Sequence, residues 1–174
     1  MGSGAVLTIR ALFFDVDGVL TDGRVYLDGR GHELKVFDTK DGHGIKMAIA
    51  AGLKIAWISG RVSPAVEHRA RELGVRAVKQ GVRDKNAAAA SYLTRWKLVR
   101  DEAAACGDDL PDIGLFDACG FSACPADASA ETRARADLVL RCRGGRGAVR
   151  EFIEEVLRRN RIAEKPPVPP VGGA

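Results

Sequence analysis

The run Ala11-Leu-Phe-Phe-Asp15-Val16-Asp17-Gly18 constrains this chain more than any other segment. A short apolar run with two aromatics suits a strand covered on both faces, in the middle of a sheet. The run ends in two carboxylates and a glycine. It therefore delivers acidic groups to a strand end, where a turn must follow. The rest of the chain has to supply flanking strands and the helices that cover both faces.

It does so in alternation. Arg24–Leu27 and Glu33–Phe37 read as two strands around Asp28-Gly29-Arg30-Gly31-His32, a β-hairpin. A helical pattern covers Asp41–Ala51, with Ile45 and Ile49 on its inner face and Gly52 ending it. Leu53–Ile58 reads as a second buried strand, ending at Ser59-Gly60-Arg61. Ser63-Pro64 opens a helix, cap residue then proline, which runs to Leu73 and stops at Gly74. Val75–Lys79 reads as a short strand and Lys85–Leu98 as a helix with Leu93 and Trp96 inward. Glu102–Cys106 has the alanines of a helix but the position of a strand, directly before Gly107-Asp108-Asp109. Leu110–Ala118 predicts a helix, Phe121–Cys124 and Leu138–Leu140 predict strands, and Gly147–Arg159 an amphipathic helix. Gly144-Gly145-Arg146-Gly147 reads as the turn leading into that helix.

This order predicts an α/β fold: a Rossmann-like three-layer sandwich with a mainly parallel sheet and right-handed crossovers on both faces. In such sheets ligands bind beyond the carboxyl ends of the strands. Asp15, Asp17, Ser59, Asp108 and Asp109 all follow strands, and Lys85 opens a helix. Clustered carboxylates repel one another. A hard divalent cation such as Mg²⁺, which takes oxygen ligands, resolves the conflict. A carboxylate beside such a cation and a phosphoryl group can attack the phosphorus.

Composition narrows the classes. The chain has 174 residues, and the expected organisation is one domain over residues 1–162 with a Pro/Gly-rich tail over 163–174 that is expected to be disordered. No apolar run reaches membrane-spanning length, and Asp15 and Asp17 interrupt the only stretch that resembles a signal peptide core. Cys106, Cys119, Cys124 and Cys142 form no C-x-x-C pair, so free thiols in a reducing cytosol are expected rather than zinc. The net charge of +4 is mild, and the arginines are scattered rather than gathered in a stripe. That favours an anionic small molecule over a nucleic acid.

Four segments carry a family resemblance. Asp15-Val16-Asp17-Gly18-Val19-Leu20-Thr21, the strand-end Ser59, Lys85, and Gly107-Asp108-Asp109-Leu110-Pro111-Asp112 resemble, in order, the four motifs of the haloacid dehalogenase-like phosphatases. Asp41-Gly42-His43-Gly44-Ile45-Lys46, Arg61, Arg69-x-x-Glu72-Leu73-Gly74 and the segment Gly144–Glu151 are similar to its branch that acts on the phosphate of an eight-carbon 2-keto-3-deoxy sugar acid, in the pathway to lipopolysaccharide. Some members have Arg where Lys46 stands here; the lysine keeps the positive charge but lacks the planar fork that Arg offers a carboxylate.

The resemblance implies roles. Asp15 would be the nucleophile and Asp17 the general acid and base. Asp15 and Asp108 would hold Mg²⁺, with Asp17 contributing its backbone carbonyl. Asp109 and Asp112 would orient these groups. Ser59 and Lys85 would hold the phosphoryl oxygens. Lys46, Arg61 and Arg69 would face the sugar acid, with Asp38, Thr39, Lys40, Asp41 and Gly42 as a backbone platform. Arg69 reads equally well as one charge of a solvated Arg/Glu helix face. His32, His43 and His68 have no partners at metal spacing. The segment between motifs is too short for a cap domain, so the hairpin at residues 24–37 is the expected flap. The resemblance implies a homotetramer in which neighbouring chains and the C-terminal segment cover the site. Two other readings stay open: the same chemistry on a nine-carbon sugar acid phosphate, and a non-catalytic binding or assembly domain.

Overall fold

The computed structural model describes residues 8–160. The tail at 163–174 lies outside them. Fourteen regular elements follow one another as β1 (Ala11–Phe14), β2 (Tyr26–Leu27), β3 (Glu33–Leu34), α1 (Thr39–Ala50), β4 (Lys54–Ile58), α2 (Pro64–Leu73), β5 (Ala77–Lys79), α3 (Lys85–Trp96), β6 (Ala103–Cys106), α4 (Ile113–Ala118), β7 (Phe121–Cys124), α5 (Ala130–Arg135), β8 (Leu138–Val139) and α6 (Ala148–Arg159). Six strands form one parallel sheet in the order β5-β4-β1-β6-β7-β8, and β2 and β3 pair antiparallel as a separate hairpin.

The β1 sequence explains its central place. Alternate side chains of a strand point to opposite faces. Leu12 and Phe14 enter one apolar core with Ile45 of α1, Val66 of α2 and Phe152 of α6. Ala11 and Phe13 enter the other, with Ala88 and Leu93 of α3 and Leu115 of α4. All four β1 residues are fully buried. Burial of one such phenylalanine stabilises by roughly 2–3 kcal/mol. Helices therefore cover both faces, giving the three expected layers.

Glu102–Cys106, ambiguous in sequence, resolves into a one-turn 3₁₀ helix (Arg100–Glu102) and the strand β6. Pairing with β1 on one side and β7 on the other outweighs the helix propensity of its alanines. The helix expected at Leu110–Ala118 is divided, a 3₁₀ turn at Leu110–Asp112 followed by α4. Helix α1 begins two residues earlier than expected because Asp38 caps it, accepting from the Lys40 N–H at 2.6 Å. Ile49, expected inward, is half-exposed. Ser63 occupies the cap position of α2, but its side chain makes no capping bond. Helix α5 has no counterpart in the sequence reading. The paired part of the hairpin is only two residues long on each side. Among the described residues no helix is long and apolar enough to cross a membrane.

Strand β1 is where the sheet order reverses: the chain moves to β4 on one side and later to β6 on the other. Loops leaving a strand at such a point diverge and leave a crevice. Phe14 is level with Trp57 of β4 and Cys106 of β6. Asp15, Ser59 and Asp108 thus emerge side by side within two residues of those strand ends.

Candidate active site

A cavity of about 560 Å³ opens at this crevice, and Asp15, Asp17, Ser59, Arg61, Lys85, Asp108, Asp109 and Asp112 all line it. The backbone fixes the acids tightly. The Asp15 N–H donates to the Cys106 carbonyl at 3.0 Å. Gly18 has φ +92°, and a Cβ there would overlap the Asp108 carboxylate, so only glycine lets the two loops meet. The Gly144 and Gly145 backbone packs on the other side of the same loop, and the Gly145 N–H donates to the Val19 carbonyl at 2.9 Å. The glycine run read as a turn before α6 therefore also braces the loop that carries Asp15 and Asp17.

Lys85, the first residue of α3, lies buried between two acids. Its Nζ donates to Asp15 Oδ1 at 2.6 Å and is also bonded to Asp112 Oδ1. Burial works against the ammonium, but Asp15 and Asp112 outweigh it and raise the Lys85 pKa above its ordinary value. The other oxygen of Asp112 accepts from the N–H groups of Asp108 at 2.9 Å and Asp109 at 3.3 Å. Asp112 thus ties Lys85 to the backbone of Asp108 and Asp109. Asp109 caps the 3₁₀ turn, accepting from the Leu110 N–H at 2.9 Å. Ser59 is buried, and its Oγ accepts from the Arg61 N–H at 3.1 Å.

One lysine balances part of a larger negative charge. Burial first, then Asp112, push the Asp15 carboxyl up to about 7, with Lys85 opposing them. Burial, Asp15, Asp112 and Asp109 push Asp108 up to about 8. Asp15, Asp108 and Asp112 each offer one oxygen within 4.8 Å of the others. Asp108 Oδ1 is buried with no hydrogen-bond partner. A divalent cation with oxygen preference fits this donor set, because it satisfies the orphaned oxygen and neutralises the crowded charge. The side chain of Asp17 is not in that group.

Asp17 faces the hairpin instead. Its Oδ1 is bonded to Lys35 Nζ, and its Oδ2 is buried without a partner. Lys35 also pairs with Glu33 at 3.3 Å, and Glu33 accepts from Arg61 Nη2 at 2.6 Å. Glu33 and Lys35 escaped the sequence reading. The alternation with Leu34 and Val36 puts Glu33, Lys35 and Phe37 on one face, but it does not distinguish Lys35 from any lysine of a half-exposed strand.

The segment expected to hold the sugar acid lies elsewhere. Asp38, Thr39, Lys40, Asp41, Gly42, Lys46 and Arg69 do not line the cavity. Asp41 is buried, and its two oxygens accept from the Gly147 N–H at 3.2 Å and the Arg150 N–H at 2.8 Å, tying α1 to the start of α6. Burial pushes its carboxyl up to about 6. Arg69 pairs with Glu72 at 2.8 Å and lies over the Phe37 ring. Lys40 and Lys46 are exposed.

A six-stranded parallel sheet with two cores, a carboxylate pair after its central strand and a buried lysine beside it defines a haloacid dehalogenase-like hydrolase. The sequence profile of that class, haloacid dehalogenase-like hydrolase, matches residues 75–153. The chain is 41% identical over 149 residues to 3-deoxy-D-manno-octulosonate 8-phosphate phosphatase KdsC of Escherichia coli (strain K12), covering 86% of this chain and 79% of that one. The chain belongs to the family of 3-deoxy-D-manno-octulosonate 8-phosphate phosphatases. The Moraxella catarrhalis enzyme in complex with magnesium ion, phosphate ion and a KDO molecule superposes with TM-score 0.85 at 35% identity, covering 88% of each chain. The cobalt-bound Haemophilus influenzae enzyme gives TM-score 0.85 at 37% identity, covering 88% of this chain and 90% of that one.

Proposed function

We propose that this chain is a Mg²⁺-dependent phosphomonoesterase that converts 3-deoxy-D-manno-octulosonate 8-phosphate into the free sugar acid and phosphate. The observation that carries the reading is the convergence of Asp15, Asp17, Ser59, Lys85 and Asp108 on one cavity at the switch point of the sheet. Family membership supports the substrate.

Asp15 attacks phosphorus through a carboxylate oxygen, and the bond to the sugar oxygen breaks. Asp17 gives a proton to the leaving alkoxide, then takes one from the water that hydrolyses the aspartyl phosphate. Lys85 and the Ser59 hydroxyl hold phosphoryl oxygens as charge builds on them. Asp15 and Asp108, with the Asp17 backbone carbonyl, would hold the cation. When bound it neutralises phosphate charge as a Lewis acid. Arg61, at the cavity rim, would meet the substrate carboxylate.

No cap domain is inserted among the described residues, yet an acyl phosphate needs shelter from water. The outer face of the hairpin exposes Leu27, Leu34 and Val36. An apolar face of this kind suits burial against further copies of the chain, and a homotetramer in the cytoplasm is the assembly we infer. It would also bring cations of neighbouring chains, Lys40 and Lys46 among them, toward the substrate.

Purified protein assayed for phosphate release over a panel of sugar phosphates, with and without Mg²⁺, tests the reading. Activity on the eight-carbon compound that needs the cation, and falls at least about 10³-fold in Asp15→Asn with the fold unchanged by circular dichroism, is expected. A higher kcat/KM for the nine-carbon acid phosphate would change the substrate. Wild-type turnover by Asp15→Asn would end the mechanism.

A further inference from the structure

The hairpin reaches into the site through one side chain. Lys35 lies just past the paired part of β3, in a segment whose alternate residues are exposed. Its own side chain is only 3% exposed. Burying an ammonium this fully is costly unless acids surround it. Two do: Asp17 and Glu33. Arg61 completes the group by closing on Glu33 from the rim.

The division of the Asp17 carboxylate is the informative detail. Oδ1 is held by Lys35, whereas Oδ2 is buried, has no hydrogen-bond partner and lies 3.9 Å from Arg61 Nε, too far for a bond. A group that passes a proton must present one oxygen in one direction. A carboxyl free to turn about its last torsion would present either oxygen over a range of angles. Anchoring one oxygen leaves the other to work, in the way that a neighbouring group fixes a catalytic side chain in other sites.

We propose that Lys35 is a positioning residue for proton transfer by Asp17: it anchors Oδ1 and so assigns Oδ2 to the leaving oxygen. The proposal rests on the reading of Asp17 as general acid and base. It makes the hairpin part of the catalytic apparatus, through a cation that never needs to touch the phosphoryl group.

The test compares two substrates that differ in their need for a proton. A sugar phosphate leaves as an alkoxide and needs one. p-Nitrophenyl phosphate leaves as a phenolate stable near neutral pH and does not. The parameter is kcat/KM, which reports on steps through phosphoryl transfer. Lys35→Met should lose about 10²-fold on the sugar phosphate and less than tenfold on the aryl phosphate. Lys35→Arg, which can still reach Asp17 and Glu33, should recover at least tenfold on the sugar phosphate. Equal losses on both substrates, or no loss, would overturn the proposal, as would no recovery by Arg. Asp17→Asn separates the two levels. If it shows the substrate-dependent loss and Lys35→Met does not, only the role of Lys35 falls. If it shows none, the acid–base reading of Asp17 falls and the proposal with it.

Discussion

Two lysines pair with acids that line the cavity, Lys85 with Asp15 and Asp112 and Lys35 with Asp17, and both are nearly buried, with side-chain exposures of 5% for Lys85 and 3% for Lys35. Each pairs with two acids. Their foundations differ. Lys85 opens a twelve-residue helix that packs on the sheet, and its partner Asp112 is itself fixed by two backbone N–H groups. Lys35 stands on a hairpin with two paired residues per strand, which by itself is marginal in water. Its foundation is the ion pairs it makes and whatever covers Leu34 and Val36. Equal burial therefore rests on unequal foundations: one cation belongs to the helix-and-sheet scaffold, the other to a short hairpin.

Three substitutions would break or sharpen this contrast. The largest effect is expected on the scaffold side. Lys85→Met keeps the volume of the stem but leaves Asp15 and Asp112 facing one another, and should lower kcat/KM by about 10³-fold on sugar and aryl phosphate alike. A loss confined to one substrate would show that the two lysines are not distinct in role. Gly18→Ala comes next. It needs a left-handed backbone and drives a Cβ into the Asp108 carboxylate, so about 10²-fold loss of kcat and a lower Tm are expected. Wild-type Tm and kcat would mean that the loop is looser than its packing implies. The smallest is Leu34→Asp on the hairpin's outer face. A charge there costs the single chain little, but in an assembly that covers it, light scattering should report a smaller mass and kcat/KM should fall about tenfold. An unchanged mass, or full activity in a monomer, would remove the oligomer from the proposal.

The scaffold half of this contrast was legible in sequence, and the hairpin half was not. Phe13, Phe14 and Asp15 announce a central strand with an acid at its end, because burial on both faces demands an unbroken apolar run. Lys85 was legible because a cation in the first turn of a helix opposes the helix dipole and needs an anion to explain it. Lys35 carries no such anomaly. A lysine in a short exposed strand is ordinary, and only the position of Asp17, eighteen residues earlier in the chain, makes it otherwise. Helix α5 was missed for a related reason: its six residues are mostly exposed and have no apolar stripe. Asp41 was legible as a motif residue but not as a brace, since its partners at Gly147 and Arg150 are far off in sequence.

The glycine contact has a consequence for how the protein comes into being. The loop after the first strand is closed by Gly144 and Gly145, near the end of the described chain, and Asp41 waits for the same region to arrive. While the chain emerges from the ribosome, Asp15 and Asp17, which would act on phosphate esters, are made well over a hundred residues before Gly144 and Gly145, the brace that sets their loop. A growing or truncated chain that stops between Asp112 and Gly144 carries every residue of the acidic cluster and lacks the backbone that aligns it. Catalytic competence is therefore a late event in synthesis, tied to near-completion of the described fold rather than to the appearance of the reactive groups.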